Sequence, residues 1–186
     1  MKTNLLTVIT GGASGIGAAC VRYHVKRGDT VIVLDLASAW SEQKAHALGA
    51  AAFYDCDVQD EARVRVVADL IESAHGPVDN LITSAGILQR KLSPDALPMA
   101  HWDAVTNIDL RGTYLCCAVF GSKMAVRGRG AIVNIASITS FRASPLHAYG
   151  PAKAAVASLT MGLAAEWGRS GVRVNAVAPE IGRAHV

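Results

Sequence analysis

Residues 5–17 read LLTVITGGASGIG, an apolar run followed by a glycine-rich segment, and they are the strongest indication of the fold class. The segment from Leu5 to Thr10 is short, apolar and rich in β-forming residues, which predicts a buried strand. Gly11, Gly15 and Gly17 follow it and predict a tight turn into a helix that stops near Gly28. Glycines at such a turn let the backbone approach a pyrophosphate group, which then lies at the helix N-terminus.

Asp35 strengthens the interpretation of this turn as a dinucleotide site. The glycine spacing differs from G-x-G-x-x-G, so the turn alone also fits an ordinary strand-to-helix loop. Asp35 ends the second apolar strand, residues 30–34, where an acid can accept hydrogen bonds from an adenosine ribose. A carboxylate there repels a 2′-phosphate, and the glycine turn contains no Arg or Lys, so we predict NAD in preference to NADP. The alternative for Asp35 is a turn-forming residue after a strand.

Strand and helix patterns alternate along the rest of the chain. Such alternation predicts an α/β fold, with a parallel sheet covered by helices on both faces and doubly wound by right-handed crossovers. We expect one domain over residues 1–179. Further strands are predicted at 51–54, 80–83, 130–135 and 172–178, and helices at 41–48, 60–74, 102–126 and 149–169.

Composition excludes several other classes of protein. The chain has 186 residues, of which 51% are hydrophobic and 18% charged, so a core can form. The net charge of +3 is spread along the sequence without a basic block, and we therefore expect no nucleic-acid partner. The four cysteines form no C-x-x-C pair and have no histidine at a metal-ligand spacing, so we expect reduced thiols and no metal. No signal-peptide pattern or bilayer-length apolar run occurs, and we expect a cytoplasmic protein without a membrane partner.

Tyr149 and Lys153 are candidates for proton transfer. They lie four residues apart at the start of an alanine-rich segment, which places both side chains on one helix face if the segment is helical. A free tyrosine has a pKa near ~10. A neighbouring lysine cation favours the phenolate and lowers that pKa, which makes the pair a possible acid/base device. Taken alone, the spacing also fits an incidental pair on a surface helix.

Several motifs in order make the chain resemble the short-chain dehydrogenase/reductase family. The resemblance extends from about Leu5 to Pro179 and implies a Rossmann-type fold, with strand order 3-2-1-4-5-6 and normally a seventh strand. It also implies NAD(P)-dependent hydride transfer between an alcohol and a carbonyl compound. The motifs are TGGASGIG at 10–17, Asp35, Asp57-Val58, Ala85-Gly86, the Ser137 region, YGPAK at 149–153 and VRVNAVAP at 172–179.

The resemblance also assigns roles to individual residues. It makes Tyr149 the general acid/base, Lys153 the group that lowers the tyrosine pKa and holds the nicotinamide ribose, and Ser137 a hydrogen-bonding partner of the substrate oxygen. Ser140 and Ser144 are rivals of Ser137 by spacing. The implied cofactor-binding residues are Thr10, Gly11, Ser14, Gly15, Ile16, Gly17, Asp35, Asp57, Val58, Ala85, Gly86, Tyr149, Lys153 and Pro179.

The chain departs from the family pattern at the position of the active-site asparagine. Aligning the N-x-x-G context puts Asp109 there, whereas Asn107 stands two residues too early for that helix face. An ionised Asp109 near Lys153 would partly cancel the lysine field at Tyr149. We therefore include Asp109 among the catalytic residues and predict a less depressed tyrosine pKa and a more alkaline activity optimum. A second departure is TSAG at residues 83–86 in place of the usual N-N-A-G, and we expect that turn to persist.

The last departure concerns residues 180–186. The family continues with P-G and a threonine that binds the nicotinamide carboxamide, whereas this chain reads EIGRAHV after Pro179. That heptapeptide is one possible translation of a common sequencing-library adaptor (GAG ATC GGA AGA GCA CAC GTC). We therefore expect a C-terminally truncated family member with a non-native tail at 180–186. A naturally short paralogue is the alternative.

These observations predict an NAD-dependent oxidoreductase that acts on a small secondary alcohol or ketone. The alternative is a non-catalytic dinucleotide-binding or interaction protein, suggested by Asp109 and the expected truncation. The resemblance further implies a homodimer or homotetramer formed through the helices at 102–126 and 149–169.

Overall fold

The computed structural model describes residues 4–180, without the side chains of residues 39 and 40. Its sheet is parallel throughout and has the order β3-β2-β1-β4-β5-β6, which confirms the predicted topology. The central strands are apolar runs without alternation because both of their faces are buried. The strands are β1 (Leu6–Thr10), β2 (Thr30–Asp35), β3 (Ala52–Asp55), β4 (Asn80–Thr83), β5 (Gly130–Ile135) and β6 (Val172–Val177).

Helices cover both faces of the sheet, as predicted. The helices are α1 (Gly15–Lys26), α2 (Ala39–Ala47), α3 (Glu61–His75), α4 (Met99–Val105), α5 (Thr113–Arg127) and α6 (Tyr149–Trp167). Successive strand residues point to opposite faces, so Val8 and Leu81 pack with α3 and α5, whereas Ile9 and Ile82 pack with α1 and α2.

The predicted helix at 102–126 differs from the observed segment in one important respect. A π-helical stretch, Thr106–Gly112, joins α4 to α5. Extra residues in a π-turn change which side chains face inward, and such turns are frequent at functional sites. Here Asp109 and Gly112 are buried, and a Cβ at Gly112 would lie 2.6 Å from the Val58 side chain. The periodicity of the sequence does not reveal this stretch, because its apolar pattern is continuous with that of the flanking helices.

A buried polar network fastens the helices beneath the carboxyl end of the sheet. The Asn134 carboxamide oxygen on β5 accepts hydrogen bonds from Thr83 Oγ1 on β4 (2.7 Å) and from Cys117 Sγ on α5 (3.2 Å). Its Nδ2 donates to Thr160 Oγ1 on α6 at 3.0 Å. Because buried polar groups are costly unless paired, these satisfied bonds define the relative positions of two strands and two helices.

Strand β6 lies at the edge of the sheet and, among the described strands, pairs with β5. Val172 and Val174 are buried against the α5 side, whereas Arg173 and Asn175 are exposed on the other face. Of the predicted tail at 180–186, residues 181–186 lie outside the described residues. Within residues 4–180, no helix is both long and apolar enough to cross a bilayer.

Candidate active site

A cleft of about 430 Å³ opens at the carboxyl ends of β1 and β4. The chain leaves β1 toward the helices on one face and leaves β4 toward those on the other, so the connections diverge and leave a crevice at this point. Most residues predicted to bind a cofactor meet here, although they come from five separate parts of the sequence. The lining includes Gly11, Ser14, Gly15, Ile16, Asp35, Asp57, Val58, Ala85, Gly86, Asp109, Tyr149 and Lys153.

The glycine turn brings the start of α1 to this cleft. Gly11 has a φ of +65°, and a Cβ there would lie 2.7 Å from the Ala85 backbone, so both the turn and its close approach require glycine. Ser14 is the N-cap of α1 but makes no side-chain capping bond, and Gly15 and Ile16 are exposed. The first N–H groups of α1 therefore face the cleft, which fits the binding of a pyrophosphate.

Asp35 closes the other side of the glycine turn. Its Oδ2 accepts a hydrogen bond from the Ala13 N–H at 3.0 Å, and its Oδ1 accepts one from the Leu36 N–H at 2.9 Å. The carboxylate is thus fixed at the end of β2 and lines the cleft. Among the described lining residues, Lys153 is the sole cation, and it comes from α6 and not from the turn beside Asp35.

Asp57 and Val58 line the same end of the cleft, after β3. The Asp57 carboxylate accepts hydrogen bonds from the Gln59 N–H (2.9 Å) and from Gln59 Nε2 (3.3 Å). The Val58 side chain is buried and packs beside Gly112. Arg111 secures this loop by donating from Nη1 to the Gln59 carbonyl at 2.6 Å.

Three residues predicted to touch the cofactor do not line the cleft in this structure. Thr10 is buried, and its hydroxyl accepts the N–H groups of Ser84 and Ala85 at 3.1 Å each, so it holds the turn that follows β4. A Cβ at Gly17 would collide with the Gly11 carbonyl oxygen, so this glycine permits close packing of α1. The Pro179 carbonyl accepts a hydrogen bond from the Ile138 N–H at 3.0 Å, beside Ser137.

Tyr149 and Lys153 occupy successive turns at the start of α6, as the spacing predicts. Lys153 Nζ lies 5.5 Å from the centroid of the Tyr149 ring. The lysine side chain is 6% exposed, and its Nζ donates to the Ile135 carbonyl at 3.0 Å. Its other neighbour is Asp109, whose Oδ2 is also 3.0 Å away. The lysine charge is therefore compensated by an acid as well as by a carbonyl dipole.

Asp109 is fully buried and stands beside Lys153, whereas Asn107 is exposed. Its Oδ1 accepts the Ile87 N–H at 2.9 Å. Gly86 makes room for it, since a Cβ there would lie 2.8 Å from Oδ2. Burial raises the pKa of the Asp109 carboxyl above its usual range, and the neighbouring Lys153 charge offsets only part of that rise.

The pKa of Tyr149 is raised, in contrast to the lowering by Lys153 expected from sequence. Burial is the main cause, and the negative charge of Asp109 adds to it. A hydrogen bond with the Ser137 side chain acts in the opposite direction and lowers the pKa. The difference from the expectation arises chiefly because the phenol is partly buried, which disfavours the phenolate, and secondly because Asp109 beside Lys153 brings a negative charge near it.

Ser137 lies on the short connection after β5. It is buried and caps a 3₁₀ turn, Ile138–Ser140, by accepting the Thr139 N–H at 3.2 Å. Its rival Ser140 accepts the Ser137 N–H at 3.4 Å, and Ser144 lines a separate cavity outside the main cleft. Ser137 is the one of the three whose side chain interacts with Tyr149.

Comparison with known proteins adds to this geometry. A family model described as short chain dehydrogenase matches residues 6–185. A D-threitol dehydrogenase of Mycolicibacterium smegmatis is 38% identical over 182 residues, covering 95% of this chain and 69% of the relative.

Two solved structures resemble the chain over 96% of its length. One, from Brucella melitensis 16M and described as ribose-5-phosphate isomerase, is 49% identical, with a TM-score of 0.92 and 69% of that chain covered. The other, an NAD⁺-bound xylitol dehydrogenase, is 27% identical, with a TM-score of 0.90 and 71% of that chain covered.

Proposed function

The chain belongs to the short-chain dehydrogenase family, and we propose that it is an NAD-dependent oxidoreductase that transfers hydride between the nicotinamide and a secondary alcohol or its ketone. Members of this family bind nicotinamide dinucleotides. The observation that carries the proposal is the meeting of Tyr149, Lys153 and Asp35 around one cleft that also receives the N-terminus of α1.

NAD supplies the hydride chemistry when it is bound, and the protein handles the accompanying proton. Tyr149 takes the proton of the substrate hydroxyl during oxidation and returns it during reduction. A positioned acid/base of this kind typically contributes about 10²–10⁴-fold to the rate. Ser137 holds the substrate oxygen, as the family resemblance implies, and its hydroxyl lowers the pKa of Tyr149, which indicates that it lies near the phenol.

Lys153 has three donors, one of which the Ile135 carbonyl accepts at 3.0 Å, and its charge pairs with the Asp109 carboxylate at 3.0 Å. A further donor is available, within the described part of the site, to hold the nicotinamide ribose. Asp109 fixes the lysine and keeps Tyr149 protonated at neutral pH, since its charge adds to the effect of burial. The raised pKa means that the phenolate, the form that takes the proton of the alcohol, is reached only at higher pH, and we propose that oxidation of the alcohol is favoured at alkaline pH.

The cofactor preference rests on the environment of Asp35. Its carboxylate is held at the end of β2, and no arginine or lysine lies beside it among the described lining residues. A 2′-phosphate at this position would meet an uncompensated negative charge. We therefore propose NAD in preference to NADP.

The relatives suggest a class of substrate. D-threitol and xylitol, named for two of the similar proteins, are polyols with secondary hydroxyl groups. The sugar-phosphate isomerase activity named for the Brucella protein leaves the oxidation level of its substrate unchanged and needs no external hydride. A glycine turn with a fixed Asp35 is of no use to such a reaction, so we propose a polyol dehydrogenase.

Tyr149→Phe tests the proposal most directly. With NAD and D-threitol or xylitol, we expect reduced nicotinamide to form with the parent chain and the rate to fall about 10²–10⁴-fold in the variant. Tyr23→Phe is the matched control, because Tyr23 is an exposed tyrosine that does not line the cleft, and its rate should stay unchanged. Full activity of Tyr149→Phe, or faster turnover with NADP than with NAD, would contradict the proposal.

A non-catalytic dinucleotide-binding protein is the second candidate, and the Asp109–Lys153 pair is the observation that favours it. The pair cancels the charge that would otherwise activate Tyr149. Calorimetric binding of NAD without turnover of any polyol, between neutral and alkaline pH, would support this candidate over the first.

We also propose self-association through α5 and α6. Tyr114 and Val126 on α5 and Met161 on α6 are exposed apolar side chains, and Val126 is 90% exposed. Sedimentation of the parent chain and of Val126→Glu distinguishes a dimer or tetramer from a monomer.

A further inference from the structure

Helix α6 carries Tyr149 as its first residue, yet it has no cap of its own. The N-cap position is Ala148, which has no side-chain acceptor. Gly150 donates its N–H to the Leu146 carbonyl (2.8 Å), Ala152 donates to the Ala148 carbonyl (3.1 Å), and Pro151 has no N–H. The N–H groups of Ala148 and Tyr149 therefore need an acceptor from elsewhere in the fold.

Gln89 supplies that acceptor. Its Oε1 accepts the Ala148 N–H at 2.6 Å and the Tyr149 N–H at 3.3 Å, across about sixty residues of sequence. The side chain is 2% exposed, although it belongs to a segment without helix or strand. Both backbone N–H groups need an acceptor, so the atom of the Gln89 side-chain amide that faces them is the oxygen and not the nitrogen. Gln89 Nε2 has no hydrogen-bond partner among the described residues.

The same segment is also tied to the other side of the site. Ile87, two residues before Gln89, donates its N–H to Asp109 at 2.9 Å, and Asp109 pairs with Lys153. These contacts link both ends of the first turn of α6 to one segment of the chain. Lys153, at the end of that turn, pairs with Asp109, which accepts the Ile87 N–H. Tyr149, at its start, donates its N–H to Gln89, two residues after Ile87. The position of the Tyr149 phenol thus depends on the segment that contains Ile87 and Gln89, which forms neither a helix nor a strand.

We propose that Gln89 is a positioning residue for Tyr149, fixing the first turn of α6 so that the phenol stays beside Ser137. The inference rests on the proposed function of Tyr149 as acid/base. Without this acceptor, two buried N–H groups lose their partner, and the first turn of α6 opens to recover it from water. Misplacement of a reacting group by about 1 Å can cost on the order of 10²-fold in rate.

Two substitutions separate the acceptor from the bulk of the side chain. Gln89→Met keeps the length and removes the acceptor, whereas Gln89→Glu keeps an acceptor oxygen for the two N–H groups and replaces the unpaired Nε2 with a second carboxyl oxygen. Hydrogen exchange at the amides of residues 148 and 149 reports the contact without any need for activity. We expect both amides to lose protection in Gln89→Met and to regain it in Gln89→Glu.

The kinetic readout separates positioning from general destabilisation. In Gln89→Met we expect kcat to fall about 10- to 100-fold, with the KM for NAD changed by less than about twofold, and Gln89→Glu to recover most of kcat. Val64→Ala, a cavity in the core beneath α3, serves as a control of comparable loss in melting temperature and should keep kcat.

Three outcomes overturn the inference: protected amides in Gln89→Met, an unchanged kcat in Gln89→Met, or equal losses of kcat in Gln89→Met and Val64→Ala. Failure of the proposed function has a different signature. An inactive parent chain contradicts the oxidoreductase proposal, whereas the exchange of the two amides still tests the contact with Gln89.

Discussion

Asp29 and Asp109 are two buried carboxylates at opposite ends of the sheet, and their environments have opposite effects. At the amino end, the Asp29 side chain is 2% exposed and accepts hydrogen bonds from His24 Nδ1 (2.7 Å) and the Leu5 N–H (3.2 Å), with Arg27 at 3.9 Å. Burial acts against its ionisation, but these partners outweigh burial and lower its pKa. At the carboxyl end, burial prevails and raises the pKa of Asp109.

The difference lies in what surrounds each charge. Asp29 has hydrogen bonds with His24 and with the backbone just before β1, and a guanidinium nearby, so its charge stabilises the fold. Asp109 has one backbone donor and one lysine, and that lysine must also serve the cofactor and Tyr149. A buried acid whose charge is fully compensated, such as Asp29, stabilises the fold. Asp109 shares its cation with the proposed reaction, so it changes the pKa of Tyr149 at a cost in the free energy of unfolding.

Removal of Lys153, the partner that Asp109 shares with the proposed reaction, should have the largest effect on the free energy of unfolding and on activity. In Lys153→Met, Asp109 is left as a buried charge without a cation, so we expect the free energy of unfolding to fall by about 3–5 kcal/mol and activity to be lost. Denaturant unfolding of the variant and of Lys44→Met, which changes an exposed lysine, measures the loss. Equal stability of the two variants would contradict this account of the pair.

Removal of the well-partnered acid should cost less and leave the chemistry intact. Hydrogen bonds to charged groups contribute roughly 1.5–3 kcal/mol, so Asp29→Asn should lose about 2 kcal/mol near neutral pH and keep kcat. The lowered pKa means that the Asp29 contribution is full above about pH 4 and is lost as pH falls through the folded value. Unfolding curves of parent and variant should therefore converge in acid; a constant difference at all pH values would contradict the assignment.

Asp109→Asn tests the opposite pH dependence, that of the acid at the carboxyl end of the sheet, whose pKa is raised. The substitution removes a charge that raises the Tyr149 pKa, so the alkaline optimum of alcohol oxidation should move to lower pH. Because the folded pKa of Asp109 is raised, the stability of the parent relative to this variant should fall, not rise, as pH increases above about 4. Rate profiles and unfolding across pH measure both. A pH–rate profile that does not move would contradict the role given to Asp109.

Substitution of the exposed acid Asp69 should change the free energy of unfolding least, and it is the reference for the two buried acids. Asp69 pairs with Lys123 at 2.7 Å, but its side chain is 71% exposed. Exposed ion pairs contribute about 0–1 kcal/mol, and Glu72 remains near Lys123 in Asp69→Asn. We expect a change in unfolding free energy of less than about 0.5 kcal/mol, with activity unchanged. A loss of unfolding free energy comparable to that in Asp29→Asn would show that burial does not explain why the substitutions differ in effect.

Local sequence patterns were enough to predict the strands of the sheet and, together with the resemblance to the family, most of the residues around the cleft. Continuous apolar runs such as Leu6–Thr10 and Asn80–Thr83 are local signals for strands, whereas the order of the strands was implied by the resemblance to the family. The glycine turn, Asp35 and the Tyr149–Lys153 spacing are also local patterns. The sequence likewise favoured Asp109 over Asn107, because the two positions differ in the helix face on which they lie.

How these groups act on one another depends on the packing of elements that are distant in the sequence. The π-helical stretch, the burial that raises the pKa of Tyr149, and the Ile135 carbonyl beside Lys153 depend on elements far apart in the chain. Gln89 had no sequence signal, because its partners are two backbone N–H groups that lack an acceptor only once α6 begins at Tyr149. Patterns within a segment fix which elements form, whereas desolvation and long-range hydrogen bonds arise only when those elements pack together.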